Sequence, residues 1–194
     1  MFAVIDTETT GLSTRTDRIV EVAVIGLNDW GQKEWEWSTM IDPQRAMGAT
    51  GIHGITLSDM SRATTFERYA GHITRLLGGR ILVGHNIEFD LDFLRAEFGR
   101  IGITAPHFAT LCTARLAKKA GFRPFTLAAC CRRCGIPHAD AHTARGDALS
   151  TAQLLRHLVD FDERLKDGSF ARDSSTSGTW PYIPLDATLG AVRS

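Results

Sequence analysis

The chain has 194 residues, 43% hydrophobic and 23% charged, the profile of a globular domain with a sizeable core. Lys plus Arg and Asp plus Glu each total 22, so no overall basic excess marks a passive nucleic-acid-binding module. No apolar run approaches the ~20 residues of a membrane span, and the run Phe2–Ile5, ended by Asp6, is too short for a signal peptide. Three of the four cysteines fall within Cys130–Cys134 instead of spreading as a disulfide framework, so a reduced, cytoplasmic protein is expected.

In chain order, Phe2–Ile5 predicts a short strand whose end meets solvent or a site. Ile19–Leu27, rich in Val and Ile with Glu21 as its one charge, predicts a well-buried strand. After the turn Asn28-Asp29-Trp30-Gly31, Trp35, Trp37 and Thr39 alternate with Glu36 and Ser38, predicting a third strand antiparallel to the second. Phe66, Tyr69, Ala70, Ile73, Leu76 and Leu77 follow helical spacing until Gly78-Gly79. Ile81–Val83 predicts a buried strand, and Phe89, Phe93, Leu94 and Phe98 mark a helix ending near Gly99 or Gly102. A weaker strand is expected at Phe108–Leu111, followed by helices over Thr113–Lys119, Thr126–Cys134 and Arg145–Phe161. Strands first and strand–helix alternation afterwards predict one α/β domain, a mixed sheet with helices on both faces. The domain is bounded at residues 1–167; from Gly168 the Ser/Thr/Gly-rich composition, with Trp180, Tyr182 and Pro184, predicts a tail (168–194) lacking its own core.

Three acidic features lie at predicted element boundaries. Asp6 and Glu8, two apart in a strand, point to the same face, where their repulsion requires protons or cations. Asp90 falls in the first turn of the helix behind Asn86, a candidate cap, while Asp92 lies about 200° round that helix and is assigned to solvent. His142 belongs to a loop, and five residues later Asp147 opens the last long helix, able to face the sheet.

Together these features resemble the motifs of the DEDDh 3′–5′ exonuclease superfamily, most closely the epsilon proofreading subunit of bacterial DNA polymerase III and its stand-alone relatives. Asp6-Thr7-Glu8-Thr9-Thr10-Gly11-Leu12 matches the first motif, His85-Asn86-x-x-Phe89-Asp90 the second and His142-x-Ala144-x-x-Asp147 the third, with Gly51–Thr56 matching a segment near the substrate groove. The resemblance spans Phe2–Val159 and implies an RNase H-like mixed five-stranded sheet with strand 2 antiparallel. It departs at Leu111-Cys112-Thr113, where the family often has Asp-Thr, and in the Cys- and Arg-rich segment Cys130–His138.

The implied reaction removes nucleoside 5′-monophosphates from the 3′ end of a nucleic acid, DNA in the first reading and RNA in the alternative. Carboxylates suit hard divalent cations, so two Mg²⁺ or Mn²⁺ ions ~4 Å apart are expected at Asp6, Glu8, Asp90 and Asp147, holding the attacking water and the leaving 3′-oxygen. His142 suits a general base, because an imidazole can accept a proton near neutral pH. The resemblance suggests that Leu12 wedges against terminal bases while Thr9, Gly11, His53, Asn86 and Phe89 shape the groove; plain packing is the competing reading for Leu12 and Phe89. A DNA polymerase catalytic subunit is a candidate partner, with proofreading within a replicase and stand-alone trimming both open. The rival classes are a non-catalytic scaffold and a zinc module using Cys131, Cys134, His138 and His142.

Overall fold

The computed structural model describes residues 1–46, 54–56, 59–138 and 140–159. Strand β1 spans Phe2–Thr9, β2 Ile19–Leu27 and β3 Lys33–Asp42; one 3-10 turn, Asp59–Arg62, leads into β4, Thr64–Thr65. Helix α1 (Phe66–Leu77), β5 (Ile81–Gly84), α2 (Ile87–Arg100) and β6 (Thr110–Cys112) then alternate, followed by α3 (Thr113–Lys119), α4 (Leu127–Cys134) and α5 (Ala144–Leu158). The sheet order is β4-β3-β2-β1-β5-β6. β2 is antiparallel to both neighbours, whereas β1–β5, β5–β6 and β3–β4 are parallel.

The expected mixed sheet with strand 2 antiparallel is present, with six strands in place of five. The addition, β4, is two residues long on the edge beside β3, too short to display any alternation in sequence. β1 outruns its expected end because Asp6 and Glu8 stay in the ladder, opposite Ala23 and Glu21. Loss of hydrophobicity is therefore not loss of strand where a buried partner supplies the hydrogen bonds. β6 sits slightly later than the expected 108–111. The end expected for the final helix, Phe161, lies outside the described residues, as do His53 and the tail.

All nine residues of β2 are buried, the signature of a central strand covered on both faces. Alternation divides the core in two. Phe2 and Val4, with Ala23 and Ile25, pack against α3, α4 and α5 through Leu116, Cys130, Cys131, Leu154 and Leu158. Ala3 and Ile5, with Val22 and Val24, pack against α1 and α2 through Phe66, Ile73, Leu91, Phe93 and Phe98. By this parity Asp6, Glu8 and Glu21 project toward α5, while Thr7 projects toward α2. No helix of the described residues is long and apolar enough to cross a membrane.

Candidate active site

Strand parity and the start of α5 bring three carboxylates together: one oxygen each from Asp6, Glu8 and Asp147 lies within 4.8 Å of the others. Among the described residues this is the one group of three or more His, Cys, Asp or Glu able to share an ion. A fully oxygen donor set suits a hard divalent cation, so these residues fit the metal expected from the acids.

Asp90 joins from the other side of β1. It is 4% exposed in the first turn of α2 and accepts a 2.8 Å hydrogen bond from the Thr7 hydroxyl. Burial first, then the charges of Asp90, Asp147, Glu8 and Glu21, push Asp6 well above the ordinary carboxylate range. Burial, followed by the same kind of repulsion, pushes Glu8 up to about 7. Asp90 is likewise pushed up to about 7 by burial, against the pull of its Thr7 hydrogen bonds. Such a cluster repels itself in the absence of protons or cations. Asp92, the predicted bystander, is exposed and pairs with Arg95 at 2.9 Å.

The α5 start is held by contacts that local sequence does not reveal. Glu21, 5% exposed, accepts the Ala144 N–H at 2.9 Å, and burial raises its pKa. Thr143 caps the helix by accepting from the Gly146 N–H at 3.0 Å. Gly146 is obligatory by close approach, since a Cβ there would stand 2.1 Å from the Asp140 carbonyl oxygen. His142 lies on the preceding loop, exposed, with a left-handed φ of 65°. The histidine hydrogen-bonded to Asp147 is instead His138, whose Nε2 stands 2.6 Å from Oδ1. In the sequence His138 stands out only as a zinc candidate, whereas Glu21 is visible as the single charge in an apolar strand.

The remaining predicted residues surround the acids unequally. The Thr9 hydroxyl donates to the Gly11 carbonyl at 2.7 Å. The loop beyond β1 is braced by Thr10 N–H to the Arg18 carbonyl and by Asp17, which accepts from Ser13 N–H. Arg18 in turn forms a bidentate pair with the buried Glu97 at 2.8 and 2.9 Å. On this braced loop Leu12 is 84% exposed, so it is not a core residue. Phe89 is half-buried and packs on Phe93, ring centroids 4.9 Å apart. Asn86 stands at the N-cap position of α2, exposed and left-handed (φ 77°), but its side chain makes no capping bond, which corrects the expectation of a cap.

Next to Asn86, His85 is wedged between Thr113 Oγ1 (3.0 Å) and the Phe125 carbonyl (2.9 Å). A carbonyl only accepts, so Nε2 carries the proton toward Phe125, while Thr113 Oγ1 bridges from His85 Nδ1 to the Gly84 carbonyl, 3.2 Å away; burial lowers the His85 pKa. The departing segment Leu111-Cys112-Thr113 thus supports the second motif. The zinc arrangement does not assemble among the described residues: Cys130 and Cys131 are fully buried, and burial pushes the Cys131 thiol up to about 11.

The sequence model of the exonuclease family (RNase T) matches residues 3–155. A DNA polymerase III subunit epsilon-like protein of Rhodobacter capsulatus is 33% identical over 166 residues, covering 81% of this chain and 23% of that protein. The 3′-5′ exonuclease DinG of Bacillus subtilis is 30% identical over 164 residues, covering 82% of this chain and 18% of that protein. The chain therefore spans about a quarter or less of the length of these curated relatives. Exonuclease X, solved in complex with 5′ overhanging duplex DNA, superposes with a TM-score of 0.65 at 25% identity, covering 84% of this chain and 93% of that one. With a mixed sheet, a converging set of carboxylates and a family match over most of its length, this chain belongs to the DnaQ-like, RNase T-type exonuclease family, whose members normally use divalent metals.

Proposed function

We propose that the chain is a 3′–5′ exodeoxyribonuclease that releases nucleoside 5′-monophosphates, in proofreading or repair trimming. The observation that carries the reading is the convergence of Asp6, Glu8 and Asp147 within 4.8 Å, with Asp90 buried beside them. The 3′-5′ polarity is supported by the name of the DinG relative, and DNA by the complex in which Exonuclease X was solved.

In this reading Asp6, Glu8 and Asp147 hold two divalent ions, Mg²⁺ or Mn²⁺, and Asp90 adds charge through the surrounding shell. Bound there, the ions supply a nucleophilic water at neutral pH and stabilise charge on the transferring phosphate. His142, on the loop ahead of α5, takes the proton from the attacking water at an imidazole nitrogen. Leu12, exposed on its braced loop, inserts against the terminal base, and Thr9, Gly11, Asn86 and Phe89 line the groove. The likeness to an epsilon-like protein supports a polymerase catalytic subunit as partner.

The test is hydrolysis of matched single-stranded DNA and RNA oligonucleotides carrying 5′ or 3′ labels, with Mg²⁺ or Mn²⁺. The expected result is a descending ladder from 5′-labelled DNA and immediate mononucleotide release from 3′-labelled DNA. Faster RNA hydrolysis would reassign the substrate, and no release with either ion would favour a scaffold.

A further inference from the structure

The chain is neutral overall but its charge is segregated. From Phe98 to Ala139 there is no Asp or Glu, and this stretch carries seven of the 22 Lys and Arg: Arg100, Arg115, Lys118, Lys119, Arg123, Arg132 and Arg133. The last six are exposed on α3, α4 and the loop joining them. Arg100 pairs with Glu97 at 3.4 Å. Of the other six, among the described residues, Arg115 makes a loose 3.8 Å contact with Glu88, and Lys118, Lys119, Arg123, Arg132 and Arg133 face no carboxylate at pairing distance.

Two of these cations are interleaved with aromatic rings. The Arg133 guanidinium lies over Phe122 at 4.5 Å and that of Arg123 over Phe125 at 5.8 Å. Phe125 is 41% exposed, one of few large apolar side chains presented to solvent among the described residues. Its carbonyl is fastened to His85, in the motif that leads into the helix carrying Asp90. The cationic loop is therefore tied to the side of the acidic site, and a polyanion lying on it would be directed toward acids that otherwise repel it.

We infer that α3, the 120–126 loop and α4 form the track for the phosphate backbone of the substrate strand upstream of its 3′ end, with Phe125 stacking on a base. This deepens the nuclease reading and rests on it for the identity of the strand. Positive charge neutralising phosphates, combined with an exposed ring accepting any base, is the chemistry of sequence-tolerant single-strand binding.

The test is fluorescence anisotropy of a labelled 20-nucleotide single-stranded DNA with the full chain in EDTA, at 50–300 mM KCl. Each single-strand phosphate contact contributes about 0.7 to the slope of log affinity against log salt. The paired substitution Arg132→Ala with Arg133→Ala should lower that slope by about 1.4, and Lys118→Ala with Lys119→Ala by a similar amount. Phe125→Ala should weaken binding about 5- to 100-fold with little change in slope. Arg75→Ala, exposed on α1 across the sheet, should change neither. RNA of the same sequence should show the same slope changes, since the track reads phosphate. Unchanged slopes in both paired variants, with circular dichroism confirming folding, would overturn the track. Hydrolysis is scored separately. Loss of slope in a chain that cleaves nothing would sink the nuclease reading and keep the track, whereas wild-type kcat/KM of the variants on the 20-mer would refute the track in a working nuclease.

Discussion

Asp90→Asn should make the metal-free protein more stable while removing its activity. The substitution keeps the size of the side chain and an acceptor for the Thr7 hydroxyl, but it removes the charge. The Asp90 carboxyl is pushed from 3.8 up to about 7 by burial. Because the folded value lies above the unfolded one, the native protein retains a proton that the unfolded chain releases between about pH 4 and 7. Stability is therefore lost as pH rises through that window, and the full cost is felt by pH 8. About three pKa units at 1.36 kcal/mol each amount to roughly 4 kcal/mol, or on the order of 10 °C in melting temperature for a domain this size. The assay is thermal unfolding followed by circular dichroism in EDTA from pH 4 to 8.5, repeated with Mg²⁺ and Mn²⁺. The gain should be near zero at pH 4, largest at pH 8, and smaller when the wild type is saturated with metal, because cations offset the repulsion that the substitution removes. Equal melting temperatures for the variant and the wild type at pH 8 in EDTA, or a gain independent of pH, would refute the argument.

Other expectations address the remaining site residues. His142→Ala should retain Mn²⁺ and DNA binding by calorimetry and anisotropy while kcat falls about 100-fold or more; near-normal turnover would show that it is not the base. His138→Ala, which frees Asp147 Oδ1, should weaken Mn²⁺ binding about 10- to 100-fold in calorimetric titration, and unchanged affinity would make the 2.6 Å contact incidental. Glu21→Ala leaves α5 N–H groups without their acceptor and should lose about 1–3 kcal/mol of stability in urea unfolding. Glu21→Gln keeps an acceptor and should restore it; if Gln were as unstable as Ala, the carboxylate's charge and not its hydrogen bond would be the cause.

Most elements are legible because each carries its own period. β2 falls at its expected bounds because an unbroken Val/Ile-rich run has few alternatives, and α1 because its apolar residues repeat at helical spacing up to two glycines. α3 likewise falls at its expected bounds. β4 is illegible, since two threonines have no period. The end of β1 is misread because Asp6 and Glu8 look like a strand terminus until β2 is seen to pair with them.

The sequence by itself determined which acids are present, their order and spacing, and the face on which Asp6 and Glu8 stand, because a strand's two-residue repeat and short motifs are local properties. It also held the acid-free stretch 98–139 in plain view, although the whole-chain balance of 22 against 22 concealed it. Tertiary structure alone decided that Thr7 meets Asp90 across 83 residues and that Glu21 accepts from Ala144 across 123. The same holds for the contact of His138 with Asp147, nine residues on. Hydrogen bonds between distant segments depend on how helices dock on the sheet, and no local periodicity encodes that docking.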